Sequence, residues 1–165
     1  MSVAVYPGSF DPITLGHLNI IKRVSKHFDK VYVCILVNSK KEPLFSAEER
    51  VELIKKVVGH FPNVEVECSS ELTVEYAKKR GATAIVKGVR AMSDFEVEFQ
   101  QASINHVLDC NIETFFLRAE GKYDYLSSTV VKEMARYGAD LSMFAPREII
   151  DDIKRKTAEK ISGGK

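Results

Sequence analysis

Five short runs of β-branched and apolar residues recur along this chain. Each is followed by a segment whose apolar residues fall at helical spacing, or by a turn leading into one. The runs are residues 2–6, 30–37, 64–68, 83–86 and 112–117. Strands joined by helical crossovers run parallel, because each crossover carries the chain back to the end of the sheet where the previous strand began. Right-handed crossovers then cover both faces of the sheet. The expected fold is α/β: an open parallel five-stranded sheet with helices on both faces and a C-terminal helical segment, in one domain over residues 1–165. In such sheets ligands sit beyond the carboxyl ends of the strands, where the strand order reverses.

The first seventeen residues set the pattern. Residues 2–6 suit the centre of a parallel sheet, and Pro7-Gly8 stops the strand. Gly16 and His17 open a segment over 16–28, with Leu18, Ile20, Ile21, Val24 and Phe28 at helical spacing. A helix N-terminus with free N–H groups beside small residues and a His is a ready phosphate site. After strand 30–37, residues 38–43 form a polar loop. Ser46 and Glu49 make a capping box for a helix with Val51, Ile54, Val57 and Val58 on one face. Residues 72–80 form a short helix ended by Gly81. Residues 93–109 form the longest helix of the core, with Phe95, Phe99 and Ala102 on one stripe and Asp94, Glu98, Gln101 and Asn105 on another. A loop through Gly121, Tyr123, Asp124 and Tyr125 precedes a helix over 127–137, and the last helix covers 147–161 before a frayed end.

Lys and Arg number 24 against 23 Asp and Glu, a formal charge of +1, so composition gives no argument for nucleic acid or for an anionic membrane. The 165 residues suit a single core. Cys34, Cys68 and Cys110 are far apart and lack C-x-x-C spacing, which argues against a disulfide framework and a zinc site. They read as buried thiols in a reducing compartment. No apolar run approaches the length of a membrane span, and the N-terminus has no basic segment followed by an apolar one, so a cytoplasmic location is expected.

The residue types suited to chemistry follow strand ends: Ser9 to His17, Lys41, Lys87 to Arg90, and Tyr123 to Thr129. His17 at a positive helix end is pushed towards its neutral form and still donates a hydrogen bond. His27, His60 and His106 read as surface or packing residues. Lys40 reads as solvated, whereas Lys41 gains weight because its loop should face the cleft. Lys87 and Arg90 flank Gly88 and Val89 at a strand end, where backbone N–H groups and cations can surround phosphate. Asp94 reads as part of a solvated helix face, as does Glu133. Glu98 can accept a hydrogen bond from a ribose or from an ordering Arg. Ser127, Ser128 and Thr129 open a helix: one serves as a cap, and three together suit a second phosphate-binding helix end. No Gly-x4-Gly-Lys-Ser/Thr loop is present, no G-x-G-x-x-G follows the first strand, and there is no nucleophile elbow.

With these segments assembled, the chain resembles the Rossmann-like nucleotidyltransferase superfamily that carries (Thr/His)-x-Gly-His and Ser-Ser-Thr signatures. Within it, the chain is similar to the bacterial phosphopantetheine adenylyltransferases. The matching segments are residues 6–17, Lys41 ahead of residues 43–45, residues 48–50, 87–90, 94–98 and 126–132. The resemblance implies conversion of ATP and 4′-phosphopantetheine to dephospho-coenzyme A and pyrophosphate, with Mg²⁺, in a homohexamer. It implies that Ser9 contacts both substrates, that Ser9, Phe10 and His17 bind ATP, and that His17 stabilises the transition state with Lys41 and Arg90. Lys41, Thr73 and Lys87 would hold phosphopantetheine. Gly88, Val89, Arg90, Glu98, Tyr123, Asp124, Tyr125, Leu126, Ser127, Ser128 and Thr129 would hold ATP. The chain departs from the family pattern in carrying Ser9 where many members have Thr, and Lys87 where many have Arg. Lys132 stands where many superfamily members have Arg. Lys87 keeps the charge but lacks the planar fork that binds phosphate bidentately. With no protein nucleophile in the sequence, direct in-line attack is expected.

Overall fold

The central strand is β1 (Val3–Gly8), flanked by β2 (Lys30–Leu36) and β4 (Ala84–Val89). The computed structural model describes residues 1–37 and 42–163. With β3 (Val64–Ser69) and β5 (Glu113–Arg118) at the edges, the order is β3-β2-β1-β4-β5, and every pair is parallel. The chain builds outward from β1 to β3, crosses back, and builds the other way through β4 and β5. The reversal therefore lies between β1 and β4.

Register explains why that junction opens. β1 pairs with β2 from Val3↔Lys30 to Gly8↔Ile35, yet it meets β4 only at Ala4↔Ala84 and Val5↔Ile85. Beyond Val5 the two central strands part, and Pro7, which has no N–H to give a ladder, sits where they separate. β1 continues through Pro7 and Gly8, two residues past the expected stop.

Side-chain alternation divides the core in two. Ala4, Tyr6, Val31, Val33, Ile35, Ala84 and Val86 face one cluster. It is completed by Ile20, Ile21 and Val24 of α1 (Leu15–Val24), Leu53, Ile54, Val57 and Val58 of α2 (Ala47–Val58), Val131 of α5 (Ser128–Arg136) and Ile153 of α6 (Ile150–Gly163). Val3, Val5, Cys34 and Ile85 face the other, under Val74, Tyr76 and Ala77 of α3 (Thr73–Lys79). Each fully buried side chain of this size contributes roughly 1.5–3 kcal/mol. The capping box at Ser46 and Glu49 forms as the sequence reads: Ser46 Oγ accepts from Glu49 N–H at 3.1 Å, and Glu49 Oε2 accepts from Ser46 N–H at 2.7 Å.

The helix of residues 93–109 is realised as α4 (Met92–Leu108), but it is not a core helix. It lies along β4 and β5 on the α3 side, with Phe95 against Phe116 at 5.1 Å between ring centroids. Only Asn105 is buried, while Val97, Phe99, Ile104, Val107 and Leu108 are exposed. Its apolar residues are spread around the helix rather than gathered on one stripe, so a single sheet face cannot cover them. Two of the cysteines also differ from expectation. Cys34 is buried, its thiol pushed up to about 12 by burial, but Cys68 lies exposed on edge strand β3 and Cys110 is exposed just after α4. Among the described residues no helix is long and apolar enough to cross a membrane.

Candidate active site

A cleft of about 660 Å³ opens where β1 and β4 part. Its floor is the turn from Ser9 to Thr14 and the first turn of α1. Gly8 makes the turn possible: a Cβ there would come within 2.9 Å of the Phe10 ring, which folds back beneath the strand. Phe10 itself adopts φ +47°, a left-handed conformation that a non-glycine residue adopts at a cost and that the surrounding packing maintains. Its ring is buried, edge-on to Tyr6 at 5.3 Å and to His17 at 5.0 Å. Phe10 thus supports the imidazole from below and offers the cleft its backbone.

His17 is fixed by the cap of its own helix. Thr14 Oγ1 accepts from His17 N–H at 3.2 Å, and His17 Nδ1 accepts from Thr14 N–H at 3.1 Å. A backbone N–H can only donate, so Nδ1 carries no proton and the neutral ring holds its proton on Nε2, which is left for the cleft. Burial, reinforced by the Arg90 guanidinium, lowers the pKa to about 4. Leu15 N–H meanwhile donates to the Phe144 carbonyl at 3.1 Å. With Leu15 and His17 N–H occupied, the α1 end presents the cleft with an imidazole donor rather than an open row of N–H groups.

The β4 side supplies charge. Arg90 Nε donates to Asp94 Oδ2 at 2.9 Å, Nη2 to Asp94 Oδ1 at 3.2 Å and Nη1 to the Leu126 carbonyl at 2.7 Å. Asp94 is therefore not a solvated residue. It stands in the first turn of α4, directly behind the strand end, and orients the guanidinium. Glu98, one turn on, pairs with Lys87 at 2.8 Å rather than with an Arg. Gly88 faces α1, where a Cβ would meet Ile20 Cγ1 at 3.2 Å.

The third wall is the N-terminus of α5. Ser127 is its cap, its Oγ accepting from Val130 N–H at 3.1 Å. Ser128 Oγ donates to the Pro12 carbonyl at 2.8 Å and ties the helix to the β1 turn. Ser128 and Thr129 N–H have no partner among the described residues and begin a helix whose positive end meets the cleft.

Of the expected residues, Ser9, Phe10, His17, Lys87, Gly88, Arg90, Glu98, Tyr123, Leu126, Ser127, Ser128 and Thr129 line this one cleft. Val89, Asp124, Tyr125 and Thr73 do not. Asp124 faces Arg118 at 3.5 Å, Tyr125 OH reaches the Met143 carbonyl at 3.4 Å, and Thr73 begins α3 beyond edge strand β3. Lys41 lies outside the described residues. Two buried charged residues of the cleft were not singled out from sequence: Asp11 and Arg50. Arg50 donates through Nη1 to the Ser9 carbonyl at 2.8 Å and through Nε to the Ser46 carbonyl at 3.3 Å. Arg50 stood in the matching segment 48–50 without a role of its own, and its place one turn inside a capped helix does not separate it from a solvated residue.

Asp11, Asp94 and Glu98 are each already paired with a cation. Among the described residues no group of three His, Cys, Asp or Glu gathers to hold a metal. A divalent ion of the kind nucleotidyltransferases use would therefore find no ready cage of side chains among the described residues.

Comparison with known proteins agrees with this geometry. Residues 5–134 match the cytidylyltransferase-like family model. The chain is 54% identical over 160 residues to a phosphopantetheine adenylyltransferase of Clostridium botulinum (strain 657 / Type Ba4), covering 97% of this chain and 98% of the relative. It is 53% identical over the same span to that of the Langeland strain. Among solved structures it resembles a putative nicotinate-nucleotide adenylyltransferase from Vibrio parahaemolyticus, with a TM-score of 0.71, 17% identity and coverage of 94% and 96% of the two chains. A nicotinic acid mononucleotide adenylyltransferase from Plasmodium falciparum gives a TM-score of 0.69 at 12% identity, over 96% and 95% of the chains. At those identities the two structures establish the fold alone. The match over nearly the full length in sequence goes further: the chain belongs to the phosphopantetheine adenylyltransferases of the cytidylyltransferase-like nucleotidyltransferase family.

Proposed function

We propose that this protein transfers the adenylyl group of ATP to 4′-phosphopantetheine, giving dephospho-coenzyme A and pyrophosphate. The observation that carries the acceptor is the 54% identity to a named phosphopantetheine adenylyltransferase over 97% of the chain. The geometry supports a direct reaction. A phosphate oxygen of phosphopantetheine attacks the α-phosphorus, and the bond from that phosphorus to the pyrophosphate oxygen breaks on the opposite side. A phosphate monoester is already an anionic nucleophile at neutral pH and needs no base. The protein's task is to hold two anions together and to stabilise charge developing on the α-phosphate.

The residues divide that task. His17 donates its Nε2–H to an α-phosphate oxygen, and as a neutral donor it keeps its proton throughout. Arg90, held by Asp94 and the Leu126 carbonyl, and the N–H groups opening α5 receive the nucleotide phosphates, with Gly88, Glu98, Tyr123 and Thr129 completing the ATP site. Val89, Asp124 and Tyr125 would contribute to that site only after local rearrangement. Ser9 bridges the two substrates. Lys87, oriented by its pair with Glu98, and Lys41 take the acceptor phosphate, and Thr73, outside the cleft, would contribute only to the far part of the acceptor. Magnesium, when bound to the triphosphate, neutralises charge that would repel the acceptor.

The whole chain acts as one nucleotidyltransferase domain in the cytoplasm. The exposed apolar residues of α4 support self-association into a homohexamer. Light scattering on the purified protein tests this, and a monomer at micromolar concentration contradicts it. For the reaction, pyrophosphate release from ATP is measured with 4′-phosphopantetheine, with nicotinate mononucleotide, and with neither. Release with the first alone is expected. Release with nicotinate mononucleotide alone overturns the acceptor.

A further inference from the structure

The turn between β1 and α1 carries a carboxylate for which adenylyl transfer has no direct use. Asp11 is 5% exposed, and its two oxygens accept three donors. Oδ1 accepts from Phe45 N–H at 2.9 Å; Oδ2 accepts from Leu44 N–H at 2.9 Å and from the Lys132 ammonium at 3.1 Å. Three segments remote in sequence therefore meet on one side chain: the β1–α1 turn, the segment leading into α2, and the second turn of α5. The two backbone donors fix the carboxylate plane, so its third contact has a set direction.

The group held in that direction is itself a cleft residue. The Lys132 side chain is 34% exposed and lines the cleft with the α5 N-terminus. An ammonium has three donors, and Asp11 occupies one. A lysine side chain left unanchored spreads over many rotamers. Anchored to Asp11, it keeps its charge at the end of the cleft where Ser128 and Thr129 N–H groups also face. The Ser128 hydroxyl on the Pro12 carbonyl holds that helix end to the same turn.

We propose that Asp11 is a positioning residue: it holds the Lys132 ammonium beside the α5 N-terminus, so that the two together receive the phosphate charge of the nucleotide. This rests on the adenylyl-transfer reading and gives Asp11, which lies in the matching segment 6–17, a part that the resemblance did not assign to it. Asparagine at position 11 would fill the same volume but turn an NH₂ group towards donors only, losing at least one of the three contacts. Methionine at position 132 would keep the apolar stem and remove the charge.

The test is a double-variant cycle in ATP affinity, measured by calorimetry on the full-length protein. Asp11→Asn and Lys132→Met are each expected to weaken ATP binding by about 10-fold or more, as for loss of a charge-assisted contact. Their combination should weaken it no more than about twofold beyond the weaker-binding single variant, because both remove the same positioned charge. Lys132→Arg should recover most of the affinity lost in Lys132→Met when Asp11 is present, and none of it when combined with Asp11→Asn. Lys132→Met leaves Asp11 its two backbone donors and should still fold, with a melting temperature lowered less than in Asp11→Asn, so its ATP affinity stays readable even if Asp11→Asn folds poorly. Unchanged ATP affinity in Lys132→Met, or losses that add in the double variant, overturns the proposal and leaves Asp11 a structural staple. Failure of the unchanged protein to use 4′-phosphopantetheine would count against the functional reading alone, since the affinity cycle needs no acceptor.

Discussion

Replacing His17 separates what the imidazole does for the fold from what it does for the reaction. Its two nitrogens have different work: Nδ1 accepts from Thr14 N–H at 3.1 Å, and Nε2 is left for the cleft. Asparagine can set its carbonyl oxygen near the position of Nδ1 but has nothing at that of Nε2. His17→Asn therefore keeps the helix cap and removes the donor. Loss of one preorganised donor to a developing oxyanion costs about 2.7–4 kcal/mol, or roughly 10²–10³ in kcat. His17→Ala loses the same donor and also the cap acceptor, about 0.5–2 kcal/mol of stability; both variants lose the edge contact on Phe10, about 0.5–1.5 kcal/mol. Initial rates of pyrophosphate release and urea unfolding curves on the three proteins read both quantities. The expected result is an equal kcat loss in the two variants, with the larger stability loss in His17→Ala. Turnover in His17→Asn within a few fold of the unchanged protein would refute the role assigned to Nε2.

Three further predictions follow from the same geometry. Because folding lowers the His17 pKa from 6.5 to about 4, the stabilising term is present above pH 6.5 and is lost as pH falls towards 4. Between pH 7.5 and 5 this one group removes about 2 kcal/mol of unfolding free energy, a slope that His17→Asn should lack when unfolding is repeated at both pH values. Lys87→Met should raise the KM for 4′-phosphopantetheine about 10-fold or more while ATP affinity stays within a few fold, and it leaves Glu98 without its cation; equal loss for both substrates would contradict its placement on the acceptor. Gly8→Ala puts a methyl within 2.9 Å of the Phe10 ring and so displaces the support of His17. It should lower kcat by about 10-fold or more with little change in either KM, and an unchanged kcat would show that the ring can yield without disturbing the imidazole.

The parts of the fold that were legible are those where local pattern and burial agree. Strands β1, β2 and β4 are buried on both faces, so continuous apolar runs mark them, and the Ser46–Glu49 capping box marks where α2 begins. α4 was legible as a helix but not as a surface helix. Periodicity reports which residues are apolar, not what covers them, and Phe99 lies exposed although it reads as core material. Cys68 and Cys110 misled for a similar reason, since an edge strand and a helix end look locally like a core. In the cleft, the rule that chemistry follows strand ends brought Ser9, His17, Lys87 and Arg90 to one place. The carboxylates were harder. Asp94 reads like any charge on a helix face, and only the distance from its oxygens to Arg90 shows that it orients a guanidinium. Asp11 and Arg50 act on backbone groups more than 30 residues away, contacts for which a linear pattern has no signature.

The most direct test of the account is a mass-resolved assay of ATP and magnesium with and without 4′-phosphopantetheine, following pyrophosphate and dephospho-coenzyme A together. Equal amounts of both products, formed only when phosphopantetheine is present and without an adenylylated protein, are the predicted result. Pyrophosphate release without dephospho-coenzyme A, or an adenylyl group found on the protein, would contradict direct transfer.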